Sequence, residues 1–193
     1  MPSTRPTPRR FAALVCIAGI APASAAQNYA ANGNFDTDLS SWQASGTPQP
    51  AWTMADYQGR ATSGSAAFES DAANASTRTY PLMQCVTPPP GPYTFTARAF
   101  LPSGQTAGRL VMSYSALQGV NCTGGSNGSG GVFLQQKDVW QQQSMTFNVA
   151  NLPGASVLLM LGIEKDAAGG TLVGRFDGIE MISDVLFASA FES

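Results

Sequence analysis

The chain has 193 residues, 44% of them hydrophobic, with ten basic and twelve acidic side chains and no histidine. The absence of histidine removes the commonest general base, the usual Ser- and Cys-based triads and most zinc sites. A slightly acidic balance leaves no basic field for nucleic acid or for an anionic membrane surface.

Residues 1–26 read as a secretory signal peptide. Arg5, Arg9 and Arg10 form a basic start, FAALVCIAGIA is a short apolar run, and ASAA supplies small residues for cleavage near Ala26. The run is about half of the roughly 20 residues that a membrane span needs, so cleavage is expected rather than anchoring. Lipoprotein processing is not expected, because no small residue precedes Cys16. Loss of the leader leaves seven basic against twelve acidic residues, a net charge of −5. The remaining domain, roughly 165 residues, is long enough for one core. Cys16 leaves with the leader, so Cys85 and Cys122 remain in an oxidising compartment, where a disulfide is the expected state. Closing a loop of roughly 36 residues, such a bond contributes on the order of 3–4 kcal/mol in chain-entropy terms.

The rest of the chain reads as short strands. AWTMA (51–55), SAAFES (65–70) and YPLMQCV (80–86) come first. YTFTARAFL (93–101) follows with a period of two, setting Tyr93, Phe95, Ala97 and Ala99 against Thr94, Thr96 and Arg98. RLVMSYSAL (109–117), SMTFNV (144–149), SVLLMLGIE (156–164) and GRFDGIEMI (174–182) complete the series. TPPPGP, LPSGQTAG, NLPGA and DAAGG break helix and strand between them. GVNCTGGSNGSGG (119–131) reads as a long flexible loop with Cys122 as its pin. No stretch carries a helical apolar stripe, so the expected fold is all-β, an antiparallel sandwich or barrel. The sequons at Asn74, Asn121 and Asn127 read as incidental.

Catalysis finds little to stand on. No phosphate-binding glycine loop, dinucleotide fingerprint or EF-hand loop is present, and the acids are scattered along the chain. Calcium remains open, because it accepts carboxylates and carbonyls from separate loops. Asp36 near the start and Asp177 near the end are the candidate ligands, with turn hydrogen bonds as the other reading of both. Sugars present apolar C–H faces to aromatic rings, and Trp42, Trp52, Trp140, Tyr57, Tyr80 and Tyr114 form the pool of rings. Of these, Trp52, Tyr57 and Tyr114 are the candidate ligand platforms, with a core or rim position as the alternative. Arg98, on an otherwise uncharged strand, is the leading polar ligand contact, with a buried or edge salt bridge as the alternative.

Five segments in order resemble a known family. NGNFDTDLSSW (32–42) is similar to the opening N-G-x-F-E/D-x-x-L-x-x-W of CenC-type carbohydrate-binding modules and their galactose-binding-like jelly-roll relatives. SGSAAFES resembles the following turn and strand, and TPPPGPYTFTARAFLPSG the next hairpin. DVWQQQSMTFNV and GRFDGIEMI resemble the W-x-x-x-S-x-T-F strand and the closing F-D-D-V strand. The resemblance implies a jelly-roll sandwich over 27–184 with adjacent terminal strands and Phe35, Trp42, Trp140 and Phe176 in or beside the core. It also implies a structural Ca²⁺ held by Asp36, Asp177 and carbonyls around Ser63 to Ser65. The tail, 185–193, resembles a short ending found on exported proteins of gammaproteobacteria.

The leading functional expectation is an exported, non-catalytic domain that binds a carbohydrate or surface glycan, secreted, periplasmic or at the cell surface. The alternative is a structural or adhesive surface protein that uses the sandwich as a scaffold for protein partners. A hydrolase using scattered carboxylates is the distant third.

Overall fold

The computed structural model describes residues 26–46, 48–71 and 78–184. The leader up to residue 25, the Asn74 sequon and the tail at 185–193 lie outside the described residues. Ten strands follow in chain order: β1 Gln43–Ala44, β2 Ala51–Thr53, β3 Ser65–Ser70, β4 Arg78–Val86, β5 Gly91–Phe100, β6 Gly108–Leu117, β7 Ser126–Leu134, β8 Trp140–Val149, β9 Ser156–Lys165 and β10 Leu172–Ser183. They form two five-stranded antiparallel sheets, ordered β1-β4-β9-β6-β7 and β2-β3-β10-β5-β8. Among the described residues the only helical piece is one 3₁₀ turn, Val120–Cys122. The all-β sandwich expected from the strand pattern is the observed fold.

Alternation along each strand builds the core. On β9, Val157, Leu159, Leu161 and Ile163 are fully buried, and Tyr93, Phe95, Ala97 and Ala99 of β5 face them from the other sheet. The opening motif is absorbed into this core. Phe35 and Trp42 are buried with ring centroids 5.8 Å apart, and the Trp42 indole donates to the Ala31 carbonyl at 3.0 Å. Gly33 lies against β10, where a Cβ would stand 2.0 Å from the Ile179 carbonyl oxygen, so only glycine allows this approach. Asn28 bridges to Ile182, which sets the two ends of the domain side by side.

Two expectations are corrected. Trp140 is half-buried on the outward face of the second sheet, 5.6 Å from Phe100, because its place on β8 alternates with the inward Phe147 and Val149. The glycine-rich segment is not a long loose loop. Residues 126–134 form β7, paired with β6 from Leu110–Leu134 to Leu117–Ser126, and only the turn at 118–125 is irregular. Gly130 has to lack a side chain there, since a Cβ would stand 2.8 Å from the Tyr114 ring. Cys122 in the turn is bonded to Cys85 of β4, as the cysteine count implied.

Candidate functional site

The outward face of the first sheet carries a groove of about 450 Å³, lined by Arg78, Tyr80, Val111, Ser113, Ser129, Gly130, Gly131 and Phe133. Register explains its shape. In one row, Arg78 of β4 and Arg109 of β6 flank Glu164 of β9. In the next, Gly162 of β9 lies beside Val111 of β6, which pairs with Phe133 of β7. The row after that sets Met83, Met160, Ser113 and Gly131 side by side. Tyr80 sits in a bulge of β4 and reaches over Gly162, where a Cβ would be 2.7 Å from its ring. Two aromatic side chains thus rise on either side of a floor of small residues. Three strand spacings place them about 14 Å apart.

One end of the groove is a charge cluster. Arg109 donates to Glu164 Oε1 through Nη2 at 2.5 Å and Nε at 3.1 Å, while Arg78 Nε donates to Oε2. Glu164 is buried, and both guanidiniums stand over the Phe133 ring, at 4.9 Å for Arg78 and 4.1 Å for Arg109. Burial alone would raise the Glu164 carboxyl, but hydrogen bonds from Arg109 and Arg78 outweigh it and hold the group below its ordinary range. Hydrogen bonds with Glu164 and the Tyr80 hydroxyl raise Arg78 further. A guanidinium has five N–H donors and Glu164 engages only some of them. Arg78, which lines the groove, therefore presents fixed donors to it beside a half-exposed aromatic ring, with Arg109 holding Glu164 from the other side. Beyond the groove, the 118–125 turn is tied to β4 by the disulfide, and Ser156 Oγ braces it by accepting from the Cys122 N–H at 3.0 Å.

The residues singled out from sequence lie elsewhere. Tyr114 points inward and stacks on Phe147 at 4.1 Å, while its neighbours Ser113 and Ser115 take the outward positions of β6. Arg98 and Tyr57 do meet, with the guanidinium 4.3 Å over the ring, but on the second sheet. Arg98 Nη1 is buried there without a hydrogen-bond partner. Trp52 is on the edge strand of the same sheet, its indole donating to the Phe35 carbonyl at 2.7 Å. Of the groove residues only Tyr80 belongs to the pool of rings read from sequence; the others come from four strands and read singly as ordinary surface positions. The one signal available was the outward arginines on two of those strands.

Asp36, Ser63 and Asp177 fall in one corner beside β10, but a cation of the chain already occupies it. Ser63 Oγ donates toward Asp36 Oδ1 at 3.0 Å and accepts from Arg60 Nη2 at 2.9 Å. Burial raises Asp56, yet hydrogen bonds from Arg60, Ser63 and the Gln58 N–H bring it down to about 2. Asp177 is fully buried and accepts the Tyr57 N–H at 3.0 Å and the Gly178 N–H at 2.6 Å. Burial pushes its carboxyl up to about 7 against those two hydrogen bonds, and Asp56 adds to the rise. Among the described residues no three Asp, Glu, His or Cys side chains converge on a point that could hold a metal. The arrangement as it stands does not fit Ca²⁺, because Asp56 is bonded to Arg60, Asp177 accepts two backbone N–H groups, and Ser63 Oγ is shared between Arg60 and Asp36.

No family model and no curated protein matches the chain. Several solved structures share its fold. The carbohydrate-binding module TmCBM61, in complex with beta-1,4-galactotriose, is 19% identical with a TM-score of 0.57 over 82% of this chain and 99% of its own. A family 16 carbohydrate-binding module is 16% identical, with a TM-score of 0.55 over 81% of this chain and 100% of its own. A putative sugar-binding protein from Bacteroides thetaiotaomicron is 13% identical, with a TM-score of 0.58 over 82% and 100%. At these identities the likeness establishes the jelly-roll sandwich and no more.

Proposed function

We propose that the protein is an exported, non-catalytic glycan-binding domain whose ligand lies in the groove of the first sheet. The groove itself carries the reading. An exposed Phe133 and Tyr80 flank a floor of small residues, with locked guanidinium donors at one end. Apolar C–H faces and a ring of hydroxyls are what such a surface complements. Two arginines and two acids, Glu164 and Asp166, leave the charged end close to neutral, which suits an uncharged sugar over a polyanion. The likeness to a module solved with a galactotriose points the same way. Export is supported by the leader pattern and by the Cys85–Cys122 bond, a pairing favoured in an oxidising compartment. A non-catalytic role is supported by the state of Glu164, a carboxylate held by two arginines and unsuited to proton transfer.

The test is a glycan array followed by titration calorimetry on the best hit. Phe133→Ala and Arg78→Gln are each expected to weaken binding about tenfold or more, the worth of one stacking or charge-assisted contact. Thr146→Ala, on the outward face of the second sheet, leaves binding unchanged. Retention of no glycan, or equal losses from all three variants, overturns the assignment.

A further inference from the structure

The corner beside β10 gathers oxygen atoms around one nitrogen. Arg60 Nη2 lies 3.0 Å from Asp56 Oδ1, 2.9 Å from Ser63 Oγ and 3.8 Å from Asp36 Oδ1. The backbone N–H and Nε of the same residue close on Asp56 Oδ2 at 2.8 and 3.5 Å. Ser63 Oγ in turn reaches the Asn34 carbonyl at 3.2 Å, which brings the opening segment into the set. The Asp56 side chain has no exposed surface, so its charge cannot be left to water.

We infer that the Arg60 guanidinium is a built-in cation, standing where an oxygen-ligated metal ion would otherwise balance these groups, so that the corner closes without calcium. Two carboxylates, a hydroxyl and a carbonyl from three separate segments are the donor types that calcium takes. Here the two carboxylates and the hydroxyl surround a nitrogen that belongs to the chain, and the hydroxyl holds the carbonyl. A tethered cation has no dissociation equilibrium, so the join between the opening segment and the loop before β3 is independent of metal concentration. The inference departs from the calcium that the family resemblance implies, and it does not depend on the glycan reading.

Thermal unfolding of the purified protein in EDTA and in millimolar CaCl₂ tests it. The wild type is expected to melt at the same temperature in both, with no heat on titration with calcium. Arg60→Ala is expected to melt lower in EDTA by about 3–6 °C and to recover most of that loss in calcium, as a native-state ligand requires. A wild-type melting temperature that rises with calcium overturns the inference. So does an Arg60→Ala protein that is as stable as wild type, or one that is destabilised and indifferent to calcium. Should Arg60→Ala fail to fold, the wild-type calcium arm still decides.

Discussion

Replacing Glu164 by Gln tests whether the Arg78–Glu164–Arg109 row holds the groove. The substitution keeps the shape and one acceptor oxygen but removes the charge that two guanidiniums share. Hydrogen bonds to a charged group contribute about 1.5–3 kcal/mol each when buried. The arginine side chains are 40% and 31% exposed, so water compensates part of what they lose. The expected cost is therefore about 2–3 kcal/mol at pH 7, at the low end of what breaking a buried pair costs, or roughly 5–10 °C in melting temperature. Acid should remove the difference. The Glu164 carboxyl is held below its ordinary value in the folded protein, so its stabilisation is complete above the unfolded value and fades as pH falls through the lower folded one. Urea unfolding followed by tryptophan fluorescence should show a constant gap between wild type and Glu164→Gln from about pH 7 to 5, closing below about pH 4. A gap under about 0.5 kcal/mol at pH 7, or one that survives unchanged in acid, refutes the reasoning.

Removing the disulfide with Cys85→Ser and Cys122→Ser should cost about 3–4 kcal/mol, read as a lower urea midpoint in oxidising buffer. Gly33→Ala should destabilise the protein by about 2 kcal/mol or more in the same assay, since the new Cβ would overlap the Ile179 carbonyl. Phe133→Ala should leave the melting temperature within about 3 °C of wild type, because the ring is 37% exposed, while glycan affinity falls. A large loss of stability there would make Phe133 a structural residue.

Much of the frame was legible because it depends on local pattern. Tyr93, Phe95, Ala97 and Ala99 alternate in the sequence and face the core in the fold, and Phe35, Trp42 and Phe176 are buried where the motif resemblance placed them. The groove was not legible, because it is a property of register. Nothing in the chain near Phe133 says that Val111 and Gly162 will lie in its row, or that Arg78 and Arg109 will share Glu164. The glycines misled for the same reason. Gly131 and Gly162 keep the outward face of two strands low, a role that looks like loop composition until the partner strands are known. Tyr114 shows the opposite error, since its strand was recognised but which of its faces met the core was undetermined, and the stack on Phe147 settled it.

Arginine–carboxylate clusters build both the groove end and the corner beside β10, and their stoichiometry separates their roles. At the groove, two guanidiniums meet Glu164 directly and Asp166 across 3.8 Å. Ten N–H donors against about eight lone-pair sites still leave donors over, for a ligand with oxygens to offer. At the corner, one guanidinium meets Asp56, Asp36 and Ser63. Acceptors are in excess there, Arg60 is the cation that balances them, and they have nothing to offer a hydroxyl-rich ligand beyond what water supplies. The same pairing thus yields a binding surface where N–H donors are in excess and a structural closure where acceptors are. Asp36, the most exposed of the corner acids at 58%, is the group whose charge Arg60 balances least directly, across 3.8 Å. Asp36→Asn should therefore cost under about 1 kcal/mol and leave glycan affinity untouched, whereas Asp56→Asn, with its side chain wholly buried against Arg60, should cost several times more. Equal costs for the two would mean that the corner is held by shape and not by charge.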